Sequence, residues 1–543
     1  MKEIKWHIGL ALSLASSFLL LFSFPMYNVH ILGFIALVPI FFIAYSLNGK
    51  KMAIYGIVSG FLFYSLYLFW MNAYLAVVGV GFVTIVYGGY FVITLIFVNL
   101  AARAFGAYRV ILTPFIWIGM EYIRSFGFLG FTFGSIGYTQ HGFLKFIQIA
   151  DIGGEPLVSF IIVFFNASIA NMLVQLFYRQ SDQLLDSAPK KTMVNSILPI
   201  SLSLCLILFS LIYGSIRIKE PIPENPKMRL SLIQALSSPR TSWKEDKLKT
   251  LFKLLDMSRK SQKEHPDTDL IVWSETAIRT SLRPNLIYGT AYHMKIRRLI
   301  KKLDTYFVIG SPDNYSIKSD SGVDPDRLTS ILPGKGDEEV WTNSAYFLDK
   351  DGEIISKYDK MQLTPFGEHF PLGKKVRFLQ KILDKFTDSA GFTKGAEYTV
   401  FEHEKLNFSV VICWEGTYGY MIRNFIRNGA DFIINISNDM WTETDAGHFQ
   451  HFSITKFRAI ENRVWFARAA NDGVTAIINP HGEVVKIIPI KEIGYLSGTV
   501  GPRVRETFYT KHGDILPKIS IAVLIISFVF SIFILIKRHE RAK

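Results

Sequence analysis

The apolar residues of this chain are gathered into spans about as long as a bilayer's hydrocarbon core is thick. Seven fall near the start, at about 6–24, 30–47, 53–75, 80–102, 110–124, 156–177 and 195–216, and an eighth runs from about 517 to 536. Backbone in lipid must pair all of its own polar groups, so such spans are expected to be transmembrane helices. The first span has the length of a secretory leader. No small-residue cleavage site follows it, however, and further spans come at once. From residue 219 to 511 the text mixes charge, turns and short β-branched runs, and it is long enough to bury its own core. The expected division is therefore a seven-helix membrane domain at 1–218, a globular domain at 219–511, and an eighth helix with a tail at 512–543.

Basic residues in short loops orient membrane helices. Lys2 and Lys5, Lys50 and Lys51, Arg103 and Arg109, Arg179 with Lys190 and Lys191, and Lys537 to Lys543 all fall on one side if there are eight spans. Both termini are then expected in the cytoplasm and the globular domain outside it. The net charge of +14 follows largely from this topology, so a nucleic-acid partner is not expected; anionic lipid head groups are. The loop 124–155 opens with a run rich in glycine and aromatics. That run either packs among the helices or presents a lipid-facing surface toward the globular domain. Glu121, near the end of the fifth span, needs a partner, and Arg124 is the candidate.

In the globular part, strand-like runs at 228–236, 269–274, 306–310, 342–348, 353–358, 407–412, 431–436, 465–470 and 474–478 alternate with helical ones at 243–262, 292–303, 417–428 and 449–463. This is an α/β layered pattern. Reactive groups stand where strands end, the usual place for ligand crevices in such sheets. Glu275 closes Ile-Val-Trp-Ser-Glu, Lys360 follows Lys-Tyr-Asp, and Cys413 follows Val-Val-Ile. A strand-to-helix junction at Cys413 is expected to favour a thiolate. Of the two cysteines, the other, Cys205, lies in an apolar span, so no disulfide framework is expected. A thiol nucleophile, a carboxylate base and an ammonium facing an oxyanion suffice chemically for acyl transfer through a thioester.

Glu275, Lys360 and Cys413, in that order and each at a strand end, resemble the nitrilase superfamily, whose fold is an αββα sandwich. Together with the spans, the chain resembles that superfamily's membrane-bound branch, the apolipoprotein N-acyltransferases. The segments that carry the resemblance are Trp273–Ile278, Tyr358–Lys360 with Leu363–Glu368, Ile412–Glu415, Ser437–Trp441, Gln450-His451, Arg458–Glu461, Arg468–Gly473 and, in the membrane half, Gly137–Gln140. Two departures stand out. Trp414 occupies the place of the usual tyrosine, and 442–446 intervenes where the family continues with Phe-Gly.

The resemblance implies a donor phospholipid whose sn-1 acyl chain passes to Cys413, with Glu275 as base and Lys360 on the oxyanion. The acyl group then passes to the α-amine of a diacylglyceryl-apolipoprotein, in a ping-pong scheme without cofactor or metal. It also implies that Glu368 orients Lys360, that Glu415 and Trp414 shape the site, and that Trp243 lies in a nearby loop. His448 and His451 are expected in packing roles. Apolar loops at 364–372 and 378–392 are expected to admit acyl chains. A bacterial inner-membrane location and a monomer are expected. The main alternative is a membrane-tethered amidase that uses the same three residues with water as acceptor. A scaffold with a relic domain does not explain three intact reactive groups. A transporter does not explain spans with few internal charges and no repeat.

Overall fold

The computed structural model describes residues 4–47, 49–127, 130–179, 189–236, 243–282, 289–316, 339–365, 367–368, 391–442 and 444–542. The chain forms two compact units, Met1–Glu220 with Thr507–Lys543, and Pro221–Glu506. The short helix Phe508–His512, expected in the globular part, groups with the helical unit. There Tyr509 packs on Gly154, whose missing Cβ leaves room for the ring.

The helical unit has a helix at each expected span: Trp6–Ser23, Val38–Ser46, Gly49–Tyr67, Asn72–Phe105, Arg109–Arg124, Glu155–Arg179, Pro189–Arg217 and Ile515–Ala542. Among the described residues, five apolar stretches are long enough to cross a membrane by length and composition: Trp6–Ser23, Gly79–Arg124, Glu155–Phe177, Ile197–Arg217 and Ile515–Arg541. Within Gly79–Arg124 a single 3-10 turn at Gly106–Tyr108 separates two helices. The last helix packs against Arg109–Arg124 at Gly119, where an added Cβ would press on the Ser520 carbonyl at 3.1 Å. Small residues at such crossings let helix backbones approach closely. Its other face exposes Ile525, Ile526, Val529, Phe530 and Phe533. A continuous apolar face of this kind suits lipid rather than water. The unit is that of a membrane protein.

From Gly130 on, the glycine- and aromatic-rich loop turns inward. Phe131, Phe133 and every residue of the 3-10 turn Ile136–Gln140 are buried. Three of its backbone donors are taken by side chains of the surrounding helices. Gly134 N–H donates to Tyr67 OH (3.1 Å), Ile136 N–H to Glu121 Oε1 (3.1 Å), and Gly137 N–H to Ser159 Oγ (2.8 Å). Irregular backbone is tolerated at this depth because protein satisfies it. Glu121 thus bonds the loop and the Trp117 indole N–H (2.9 Å), while Arg124 donates to Tyr64 and Ser135. The two charges line one cavity of about 30 Å³ without a direct hydrogen bond between them among those resolved.

The second unit is an αββα sandwich. One sheet has six strands: β1 (Met228–Gln234), β2 (Leu270–Trp273), β3 (Tyr306–Ser316), β4 (Glu339–Leu348), β5 (Ile354–Asp359) and β11 (Gly494–Val500), in the order β11-β1-β2-β3-β4-β5. The other has five: β6 (Phe408–Ile412), β7 (Phe432–Ser437), β8 (Phe466–Ala470), β9 (Thr475–Ile478) and β10 (Val484–Ile488), in the order β10-β9-β8-β7-β6. The pairs β1–β2, β2–β3, β6–β7 and β7–β8 are parallel, which explains why their strands read as nearly unbroken apolar runs.

Between the sheets, Phe347 on β4 meets Phe408 on β6 edge-to-face at 5.2 Å. Outside the six-stranded sheet, Leu251, Leu254 and Leu255 of helix Trp243–Glu264 and Ile296, Leu299 and Ile300 of helix Gly289–Leu303 cover Trp273, Phe307 and Ile309. On the other side, helix Asp445–Asn462 packs on β8, and helix Gly419–Arg427 packs on it in turn. Burying each such aliphatic or aromatic side chain contributes roughly 1.5–3 kcal/mol. The parallel strands β2, β6, β7 and β8 therefore end with fixed positions for whatever follows them.

Candidate active site

Each candidate residue stands one or two positions beyond a strand. Glu275 follows β2. Gly310 on β3 has no room for a Cβ because Ser274 and Glu275 lie directly over it, and so the Glu275 backbone is pressed inward. Lys360 follows β5 and continues its pairing with β4, donating its N–H to Asn343 O at 2.8 Å. Cys413 follows β6 and opens a 3-10 turn, Cys413–Thr417; the α-helix begins only at Gly419.

Lys360 Nζ is buried between two carboxylates. It donates to Glu275 Oε1 at 3.2 Å and lies 3.0 and 2.8 Å from Glu368 Oε1 and Oε2. Asn343 on β4 braces the same pair, its Nδ2 donating to Glu275 Oε1 (2.8 Å) and Glu368 Oε1 (2.6 Å). The second oxygen of Glu275 accepts from Asn438 N–H (2.8 Å), and that of Glu368 from Thr364 N–H (2.8 Å).

The electrostatic outcome is asymmetric. Burial raises Glu275, and the Glu368 charge adds to that, so it stays above the ordinary carboxylate value despite Lys360. For Glu368, burial is outweighed by Lys360, the Thr364 N–H and the Asn343 amide, and its carboxyl falls below the ordinary value. Burial alone would lower the Lys360 ammonium, but the two carboxylates carry it well above the usual lysine range. Two carboxylates on one lysine are thus pushed apart into an ionised partner and a proton acceptor.

Cys413 is half-buried and lies within electrostatic reach of Glu275, Lys360, Asp439 and Glu368. The thiolate expected from a helix N-terminus is not found. Burial and the Glu275 charge push the thiol well above its ordinary value, against Lys360. The turn does little to offset this. The element after β6 is one 3-10 turn without a developed dipole, and the Ile412 N–H at its entrance donates to Glu415 Oε2 (2.8 Å) rather than facing the sulfur. The thiol is thus held toward its protonated form, beside Glu275.

Glu415 is fully buried and ties two segments together. Its Oε1 accepts from Met361 N–H (2.7 Å) and Gln362 N–H (2.9 Å), and Tyr358 OH donates to it at 2.9 Å. Through Ile412 and Tyr358 it locks the Cys413 turn to the Lys360 segment. Trp414, in the tyrosine position, adds a second tie, its indole N–H donating to Gln362 O at 2.9 Å. Its ring meets Tyr418 edge-to-face at 5.5 Å.

Trp243 opens the helix Trp243–Glu264, but its side chain lies outside the described residues. So do most of the loops 364–372 and 378–392. In the 442–446 segment, Thr442 ends a 3-10 turn and Asp445 begins the helix Asp445–Asn462. His448 and His451 both bond Asp439, at 3.0 Å each, in buried positions.

The comparisons with known proteins follow the same two-part division. A model of the apolipoprotein N-acyltransferase N-terminal domain matches residues 16–168, and a carbon-nitrogen hydrolase model matches residues 229–509. The apolipoprotein N-acyltransferase 1 of Treponema denticola is 30% identical over 556 aligned residues, spanning 99% of each chain. The chain belongs to the apolipoprotein N-acyltransferase family. The enzyme of that name from Geobacter metallireducens is 29% identical over 514 residues, 93% of this chain and 91% of its own. Among solved structures, an amidase from Nesterenkonia sp. is 16% identical, covers 52% of this chain and 92% of that one, and has a TM-score of 0.36.

Residue-level reading of this family member missed several polar groups that the site uses. Asn343 stands mid-strand in Thr-Asn-Ser-Ala-Tyr-Phe-Leu, where a buried amide is out of place unless it has partners. Asn435, within the apolar β7, carries the same signal. Neither strand reveals which distant segment supplies those partners.

Proposed function

We propose that this family member N-acylates lipoproteins in two half-reactions on Cys413. In the first, Glu275 takes the thiol proton as the sulfur attacks the sn-1 ester carbonyl of a phospholipid. The C–O bond to glycerol breaks, the proton passes from Glu275 to the leaving oxygen, and a lysophospholipid departs from a thioester. In the second, the α-amine of a diacylglyceryl cysteine attacks the thioester, giving an amide and returning a proton, through Glu275, to the thiol. An ammonium has three donors. Among the described residues Lys360 contacts Glu275 Oε1 and both oxygens of Glu368, and where one N–H is shared between the two Glu368 oxygens, a third serves the oxyanion. Preorganised charge of this kind is usually the largest single contribution to acyl transfer.

The observation that carries the reading is the split of the two carboxylates about Lys360 beside Cys413. It supplies a base with a raised pKa and a fixed cation together. The apolar helices before and after the sandwich suit substrates whose tails stay in the bilayer, since exposing a chain to water costs about 0.8 kcal/mol per methylene. The basic loops support both termini in the cytoplasm and the sandwich on the opposite, periplasmic side of a bacterial inner membrane. Mass spectrometry of lipoprotein N-termini in cells relying on Cys413→Ala, with intact mass of the purified enzyme after phospholipid exposure, tests this. Unacylated N-termini and an acyl adduct only on wild-type Cys413 are expected. Continued N-acylation by Cys413→Ala refutes it. Free fatty acid release without transfer to an acceptor favours an amidase-like hydrolase.

A further inference from the structure

Cys413 has a φ of +57°. This left-handed backbone is unfavourable for a residue with a Cβ and persists only where surrounding structure imposes it. The imposing contact comes from the neighbouring strand. Asn435 Nδ2 donates to Cys413 O at 3.0 Å and to Val411 O at 3.1 Å. Asn435 stands opposite Val411 in the β6–β7 ladder, so its amide spans the end of the nucleophile's strand.

The amide's orientation is itself decided one strand further on. Arg468, opposite Asn435 in the β7–β8 ladder, donates to Asn435 Oδ1. Arginine has donors only, so the amide oxygen must face it and the NH₂ must face the Cys413 carbonyl. The other end of Arg468 donates to Asp439, which also accepts from Ser437 Oγ (2.7 Å) and bonds His451 Nδ1 (3.0 Å). Asn435 and Arg468 are wholly buried and Asp439 nearly so. Two glycines make room for this relay. An added Cβ on Gly473 would collide with Asp439, and one on Gly416 would press on the Asn435 amide at 3.2 Å. A buried ion pair is a poor source of stability, since apolar residues of the same volume often serve as well. What Arg468 supplies is an orientation, delivered to the nucleophile through one amide.

We propose that Arg468, acting through Asn435, is a positioning residue for the thiol: it keeps the Asn435 amide turned to the Cys413 carbonyl and so holds the nucleophile's turn in its left-handed form. The inference rests on Cys413 being the acyl-accepting thiol.

Asn435→Asp tests it cleanly, because the carboxylate keeps the shape and the Arg468 contact but loses the donor to Cys413. Rates of Cys413 acylation by phospholipid in micelles are measured per folded molecule, counted as the fraction that resists brief proteolysis. We expect kcat to fall about 100-fold, the scale of a misplacement of about 1 Å, with KM within about two-fold of wild type. Arg468→Met should fall similarly. The double variant Asn435→Asp/Arg468→Met should be no slower than the slower single variant, since both act on one contact. A merely structural role lowers the folded fraction and leaves the rate per folded molecule unchanged; that result, or losses that multiply in the double variant, overturns the inference. If wild-type Cys413 takes up no acyl group, the proposed function fails, and this inference with it.

Discussion

Replacing Glu368 by Gln separates the two carboxylates that share Lys360. The amide keeps the shape and an acceptor for the Thr364 N–H. It removes the negative charge that raises Glu275 and helps hold Lys360. Lys360 Nζ lies 3.2 Å from Glu275 and 2.8 Å from Glu368, so the carboxylates stand within about 6 Å, where like charges at an effective dielectric of about 20 repel by about 3 kcal/mol, about two pKa units. Without that repulsion Glu275 titrates lower. Thioester formation needs Glu275 ionised, so its rate climbs with pH through the Glu275 pKa, and in Glu368→Gln this acidic limb should move down by about one to two pH units. A less basic Glu275 also removes the thiol proton less readily, so the rate at pH 7 should fall by about ten-fold to a hundred-fold. The assay follows fluorescent sn-1 acyl transfer to Cys413 in micelles, quenched at short times across pH 4.5 to 9. An acidic limb that stays in place, or moves to higher pH, refutes the claim that the two carboxylates are coupled through the lysine.

Two other expectations concern the supports of the site. Burial raises Glu415 to about 7, so the folded chain takes up a proton that the unfolded chain releases near its ordinary value of 4.5. That contribution is complete below about pH 4.5 and is lost as pH rises through about 7, about 3 kcal/mol in all. Glu415→Gln should flatten this slope in thermal melts in detergent at pH 5 to 8; an unchanged slope contradicts it. Asn343→Leu withdraws one donor from each of two buried carboxylates, at a cost of about 1.5–3 kcal/mol apiece. Chemical denaturation in micelles should show a loss of about 3 kcal/mol or more, and a loss under about 1 kcal/mol would contradict the bracing role.

Much of the fold could be read from local pattern. Most of the apolar helices follow from span length, although the span 30–47 divides into a 3-10 turn and the short helix Val38–Ser46, and nine strands follow from β-branched runs. The two strands that pattern reading passed over, β10 and β11, show why the rest could not. Gly494–Val500 carries two glycines and no clean alternation, and it is a strand because β1, far back in the chain, pairs with it along its whole length. The inward turn of the glycine-rich loop was equally hidden. Tyr67, Glu121 and Ser159 accept its backbone donors, and they come from three different helices.

The sequence by itself determined which chemistry is available: a carboxylate, a lysine and a cysteine at strand ends, set between apolar spans. Strand termini are local features, and reactive residue types survive inspection one at a time. The tertiary structure decided how those groups behave. Lys360 carries Glu275 and Glu368 in opposite directions because Asn343, Asn438 and Thr364 converge on them from separate elements. Cys413, expected as a thiolate on a helix end, is instead a half-buried thiol in a left-handed turn, held by Asn435 and, behind it, Arg468. Protonation and backbone strain depend on burial and on partners distant in sequence, and both exist only once two sheets have closed around them.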